Sequence, residues 1–137
     1  MLRFCRLMIQ FRKNHPAVRH PLHPGPGSPE VNWHGTRAWR ADWSPVSRVL
    51  AFHRIAMPQG GKAQDGMDVI YVAMNMHWES LDFELPSPPI AGARWHGLAD
   101  TGLRSPDDIC EVGRETPLTD QTKIWVGGRS IVILAAR

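Results

Sequence analysis

Thirteen acidic side chains and seven histidines are raw material for acid–base chemistry, but their spacing concentrates little of it. Asp107 and Asp108 are neighbours in a loop-like stretch, and Asp82 and Glu84 share a parity that puts them on one strand face about 7 Å apart. Paired carboxyls divide acid and nucleophile roles only when their environments push their pKa values apart. Neither pair has a sequence setting that suggests desolvation, so both read as solvated surface charge and no catalytic residue is assigned. His15, His20 and His23 lie in or beside a proline-rich stretch, and His34, His53, His77 and His96 fall on separate segments. No carboxylate or thiolate stands at ligand spacing from them, so neither a metal site nor a cofactor is expected. Asn75 and His77 share a strand parity, and their readings are turn closure or a hydrogen bond to a sugar, with turn closure favoured.

The six tryptophans are the best unexplained feature. Trp33, Trp39, Trp43, Trp78, Trp95 and Trp125 offer flat apolar faces that pack a core or stack on sugar rings, and packing is the commoner fate. Trp39 and Trp43, in an arginine-rich loop, are the candidates for carbohydrate contact.

The elements that must position these residues are short. Pro and Gly number twelve each in 137 residues, which favours turns over long helices, and 42% hydrophobic with 21% charged residues excludes a wholly disordered chain. The chain is one domain, with at most an appendage. Its net charge of +3 owes much to Arg3, Arg6, Arg12, Lys13 and Arg19, and the rest is near neutral. A charge so modest, with no recognised binding motif, argues against nucleic acid. Cys5 and Cys110 show no C-x-x-C spacing and point to a reducing compartment. No apolar run approaches the roughly 20 residues of a membrane span, and Arg3, Arg6 and Gln10 interrupt what would be a signal peptide, so a cytoplasmic location is expected.

Phe4, Leu7, Met8 and Phe11 fall at i, i+3, i+4 and i+7, an amphipathic helix ending near Asn14-His15-Pro16 and starting without an N-cap residue. Residues 17–30, dense in Pro and Gly, read as a linker. Residues 31–137 then carry six to eight short strands. Val69 to Met76 is apolar on both parities, as in a strand covered on both faces, and Leu81 to Leu85 alternates as in a half-buried one. The two are expected to form an antiparallel hairpin. A second, closing hairpin is expected for Lys123–Val126 and Ser130–Ala135 across Gly127-Gly128. Ser105-Pro106-Asp107-Asp108 has the form of a single helical turn.

Several of these segments, taken in order, resemble one family. Arg3 to Pro16, Trp33-His-Gly35, Asp42-Trp-Ser-Pro45, Ser47-Arg-Val-Leu-Ala-Phe52, Ile70 to Glu79, Phe83-Glu-Leu-Pro86 and Arg129 to Leu134 are similar to the C-terminal end of glycogen debranching enzymes and isoamylases, which are α-amylase-type glycoside hydrolases. The resemblance implies an antiparallel β-sandwich behind a (β/α)₈ barrel, with residues 1–16 standing where the last barrel helix would be. It implies a debranching enzyme that cleaves α-1,6 branches of glycogen or amylopectin with carboxylates of the barrel, which this chain lacks. No hydrolysis is therefore expected from this chain alone. The expected fold class is all-β, an antiparallel sandwich preceded by one amphipathic helix. The face made by Phe4, Leu7, Met8 and Phe11 is expected to dock on a separately encoded barrel or to drive self-association. A free-standing carbohydrate-binding module using exposed tryptophans to hold α-glucan is the alternative.

Overall fold

The computed structural model describes residues 1–19, 30–57 and 66–137. Two helices, α1 (Leu2–Asn14) and α2 (Pro16–Arg19), precede eight strands: β1 (Glu30–His34), β2 (Val49–Ala56), β3 (Asp68–Asn75), β4 (Leu81–Glu84), β5 (Trp95–Asp100), β6 (Thr116–Pro117), β7 (Lys123–Val126) and β8 (Ser130–Ala136). Six of them form one antiparallel sheet in the order β1-β2-β3-β8-β5-β6, and β4 pairs with β7 in a second. The molecule is an all-β sandwich with a helix on its outer side.

The parities of β3 divide the core. Ile70 and Val72 face α1 and join Leu7, Phe11, Ala17, Leu98, Ile109 and Ile133 in one cluster. Val69, Tyr71 and Ala73 face β4 and β7 and join Phe83, Leu85, Trp95, Val126 and Leu134 in the other. A strand buried on both sides is what its double-parity apolar run demands.

Both expected hairpins are overturned. β3 pairs with β2 and β8, whereas β4 pairs with β7, so the chain changes sheets between β3 and β4 and again between β7 and β8. The reason lies in the connections. Asn75, fully buried, donates its side-chain amide to the carbonyls of Glu79 (2.8 Å), Val126 (3.1 Å) and Gly127 (3.1 Å), and its Oδ1 accepts the His77 N–H (3.0 Å). The Arg129 N–H donates to the His77 carbonyl. These bonds satisfy turn carbonyls that a two-residue hairpin would have paired within one ladder. They lay the two sheet-changing turns side by side.

The helical region also departs from expectation. Residues 17–19 are not linker but the end of α2, because the Asp68 carboxylate accepts the Ala17 N–H (2.9 Å) and contacts His15 Nδ1 (2.7 Å), supplying a cap from β3. Residues 20–29 and 58–65, expected as linker and loop, lie outside the described residues. The Ser105–Asp108 segment is a series of turns and not a helical turn. One of its carbonyls is taken instead by α1: Arg3 donates to the Pro106 carbonyl (2.8 Å) and to that of Ile109 just beyond (3.1 Å), and pairs with Asp108.

The face expected to lack a partner is covered within the chain. Leu7 and Phe11 are buried, and Phe4 and Met8 are half-buried against the same cluster. Burying two such side chains is worth about 2 kcal/mol each, and they cover the Ile70, Val72 and Ile133 side of the sheet.

Candidate functional site

Three of the exposed tryptophans, Trp33, Trp39 and Trp43, lie on β1 and the loop that follows it. Within that loop the chain doubles back tightly: a β-carbon on Gly35 would stand 2.6 Å from the Arg40 carbonyl, so only glycine fits. Glu84 of β4 pins the loop from the second sheet, its N–H donating to the Thr36 carbonyl (2.8 Å) and its carboxylate accepting the Ala38 N–H (3.2 Å). Trp39 then sits at φ 63°, left-handed and strained for a residue with a β-carbon.

What holds Trp39 there is a buried imidazole pair. The Trp39 N–H donates to His34 Nδ1 at 2.6 Å, and His34 Nε2 lies 2.8 Å from His53 Nδ1. Both histidines are fully buried. The indole stands nearly perpendicular to both, with ring centroids 4.9 Å from His34 and 5.3 Å from His53. Burial, then the neighbouring His53, lowers the His34 pKa to about 4. Burial lowers that of His53 as well, against a smaller opposing effect of Glu30.

Trp43 lies elsewhere. It meets Trp33 edge-on at 5.5 Å, and Trp33 packs on Phe52 at 5.5 Å. Successive strand residues face opposite ways, so Trp33 and His34 point to opposite sides of β1. The two candidates for carbohydrate contact, Trp39 (61% exposed) and Trp43 (67%), therefore do not form one surface. Phe52 belongs to the helix-side cluster, which puts Trp33 and Trp43 on the same side of the sheet as α1.

Packing was the favoured reading for the tryptophans, and it holds in full for Trp95 alone, which is buried and donates its indole N–H to the Pro86 carbonyl (2.7 Å). Trp33, Trp39, Trp43, Trp78 and Trp125 are exposed. Trp78 is sandwiched locally, stacked on His77 at 3.9 Å with the Arg48 guanidinium 5.4 Å from its ring. The carboxylates are occupied by structural tasks: Asp82 pairs with Lys123 (3.3 Å), Asp108 with Arg3, and Glu84 with the loop. Asp107 is exposed. Sequence reasoning placed His34 and His53 on separate segments and missed their pairing. The signal was their inward parity, beside Ala51 in β2 and Tyr71 in β3.

The comparisons bear on this geometry. Residues 32–126, from Asn32 in β1 to Val126 closing β7, match the family described as Isoamylase 1-3, C-terminal. This chain belongs to that isoamylase C-terminal family. It is 35% identical over 113 residues to isoamylase SU1, chloroplastic, of Zea mays, a match covering 82% of this chain and 13% of the maize protein. It is 35% identical over 101 residues to the isoamylase of Pseudomonas amyloderamosa, covering 72% and 12%. Isoamylase 3, chloroplastic, of Oryza sativa subsp. japonica is 31% identical over 135 residues, covering 98% and 15%. The chain thus spans between 12% and 18% of the length of the isoamylases it matches. The Trp33, His34, Trp39, Trp43 and His53 constellation lies inside the isoamylase C-terminal match. No helix among the described residues is long and apolar enough to cross a membrane.

Proposed function

We propose that this chain is the C-terminal sandwich of an isoamylase-type debranching enzyme, supporting a catalytic barrel that hydrolyses α-1,6 branches of glucan and doing no hydrolysis itself. The observation that carries this reading is the family match, and it agrees with the tasks of the candidate carboxylates Asp82, Glu84, Asp107 and Asp108, which are spent on ion pairs, a loop or solvent. The barrel would meet the side of the sheet that bears α1. There the chain leaves Leu2, Cys5 and Ile9 exposed along one stripe of the helix, an open, mostly apolar groove of about 340 Å³ lined by Met8, Ile9, Phe11, Arg12 and Val18, and the Trp33–Trp43 pair. Phe4, Leu7, Met8 and Phe11 hold the helix to its own sheet, so the partner, whether a barrel or a second copy, is met by the opposite stripe.

The test is complementation. An isoamylase-type barrel lacking its C-terminal domain is assayed on branched glucan with and without this chain, by release of reducing ends. Gain of activity or of thermal stability on addition supports the reading. Hydrolysis by the chain alone overturns it.

A second reading, a free-standing glucan-binding module, draws on the exposure of the Trp39 and Trp43 indoles. Titration with maltooligosaccharides, followed by tryptophan fluorescence, separates the two, since a purely supporting domain gives little response.

A further inference from the structure

We propose that His34 and His53 form a proton-operated clasp that holds the Trp39 loop against the sheet edge and releases it when the pair takes up a proton. The inference is independent of the debranching reading and rests on a count of hydrogens.

The Trp39 backbone N–H is a donor and nothing else, so His34 must present a bare Nδ1 to it at 2.6 Å. A neutral His34 with a bare Nδ1 carries its hydrogen on Nε2. That atom faces His53 Nδ1 at 2.8 Å, so His53 accepts there and is itself neutral, with its hydrogen on Nε2; the Asn32 amide nitrogen, 3.3 Å from that Nε2, is itself a donor committed to Glu30 and does not bond it in this assignment. The chain of bonds from Trp39 through His34 to His53 has a single consistent assignment, and both imidazoles are uncharged in it. A proton added to His34 fills Nδ1 and turns an acceptor into a second donor facing the Trp39 N–H. A proton added to His53 fills its Nδ1 and sets two donors face to face across 2.8 Å, which forces His34 to the other tautomer with the same loss at Trp39. Either route breaks the same bond.

The surroundings do not absorb that charge. Glu30 of β1 is the acidic group that acts on His53, but it is exposed and bonded to Asn32 (2.9 Å). Tyr71 of β3 presents a buried phenol with no hydrogen-bond partner among the described residues, its ring 6.0 Å from His34. Glu84 of β4 is exposed and engaged with the Ala38 N–H. The low pKa values of both histidines agree with a site that resists protonation, and when it yields, Trp39 has the most to gain. Its left-handed backbone is strained for a residue with a β-carbon, and at Trp39 itself this bond and the ring contacts oppose that strain, while Glu84 holds the flanking Thr36 and Ala38.

The release is local, confined to residues 35–40 with Arg37, Trp39 and Arg40, while the sheet stays folded. The test follows the full chain by NMR from neutral pH to about pH 3.5, reading the Trp39 amide, the His34 and His53 ring nitrogens, and amides of Val72 and Leu134 in the core. The expected result is a bare His34 Nδ1 at neutral pH, then a Trp39 amide that shifts with the imidazole midpoint and whose protection from exchange falls roughly tenfold, with the core amides unmoved. In His34→Gln, which keeps an acceptor but cannot titrate, that midpoint vanishes from the Trp39 amide. Should His34→Gln fail to fold, His53→Gln carries the same readout, with the Trp39 midpoint reset to that of a lone His34. A protonated His34 Nδ1 at neutral pH overturns the proposal. So does a Trp39 amide that ignores the titration, or one that moves only together with the core.

Discussion

Gly128 lies so close to Trp78 that a β-carbon built on it would clash with the Trp78 carbonyl oxygen. The two residues belong to the two sheet-changing turns, one leaving β3 and the other entering β8, which Asn75 ties together from within. Backbone meets backbone here, so no side chain can yield. Gly128→Ala is expected to destabilise the domain by about 3 kcal/mol, near the upper end for an overpacked site. Asn75→Ala, which strands the Glu79 and Val126 carbonyls and leaves that of Gly127 to the Ser130 hydroxyl, is expected to cost about 2 to 3 kcal/mol. Urea denaturation of each variant measures both, and a loss under 1 kcal/mol in either would show that the turns are not held by this contact.

Phe11 and Ile9 are two positions apart on α1 with opposite duties. Phe11 is buried against the sheet and Ile9 is exposed. Phe11→Asp puts a charge in the core and is expected to cost about 4 kcal/mol, seen as a large drop in Tm. Ile9→Asp should leave stability within about 0.5 kcal/mol while weakening complementation of a truncated barrel. Equal thermal effects from the two would contradict the assignment of faces.

Acid sensitivity follows from His34. Its pKa falls from the ordinary 6.5 unfolded to about 4 folded, so the unfolded chain takes up a proton that the folded chain refuses. Stability is therefore full above about pH 6.5, declines as pH falls towards 4, and stops declining from this cause once the folded imidazole also titrates. At 1.36 kcal/mol per unit the loss approaches about 3 kcal/mol. Denaturant midpoints measured across that range should fall less in His34→Gln than in the parent chain.

Arg54 is a charge in an apolar setting. It is buried on the helix side of β2, and its Nε and one Nη find no acceptor among the described residues. Burial lowers its pKa. Arg54→Met keeps the aliphatic volume and removes the ion, and is expected to stabilise by about 1 kcal/mol, read from the denaturation midpoint. A destabilisation of that size would mean the guanidinium is satisfied after all.

Much of the fold was legible because burial leaves a period in the residues. The double-parity run of Val69 to Ala73 announced a strand covered on both faces, the alternation at Leu81 to Leu85 a half-covered one, and the Phe4, Leu7, Met8, Phe11 stripe an amphipathic helix, though not that this chain's own sheet covers it. Strand partnership leaves no such period. β4 and β7 show the same alternation whether they pair with their sequence neighbours or with each other, and the choice rests on Asn75 reaching carbonyls some fifty residues away. The site was hidden for the same reason. His34 and His53 face each other only because β1 and β2 pair with Asn32 opposite His53 and His34 opposite Ala51, a register that no single segment reveals. Trp39 and Trp43 were singled out from their arginine-rich loop, but only the strand between them shows that they serve opposite sides.

The position of β8 carries one more consequence. Among the described strands it is the bridge between β1-β2-β3 on one side and β5-β6 on the other. During synthesis the first three strands can pair as they emerge, and β5 can meet β6, but the two halves stay separate until Ser130 to Ala136 has cleared the ribosome. A nascent chain must wait with the inner edge of β3 open, and a premature stop before Ser130 would release two unjoined half-sheets, a substrate for aggregation and proteolysis and not a shortened domain.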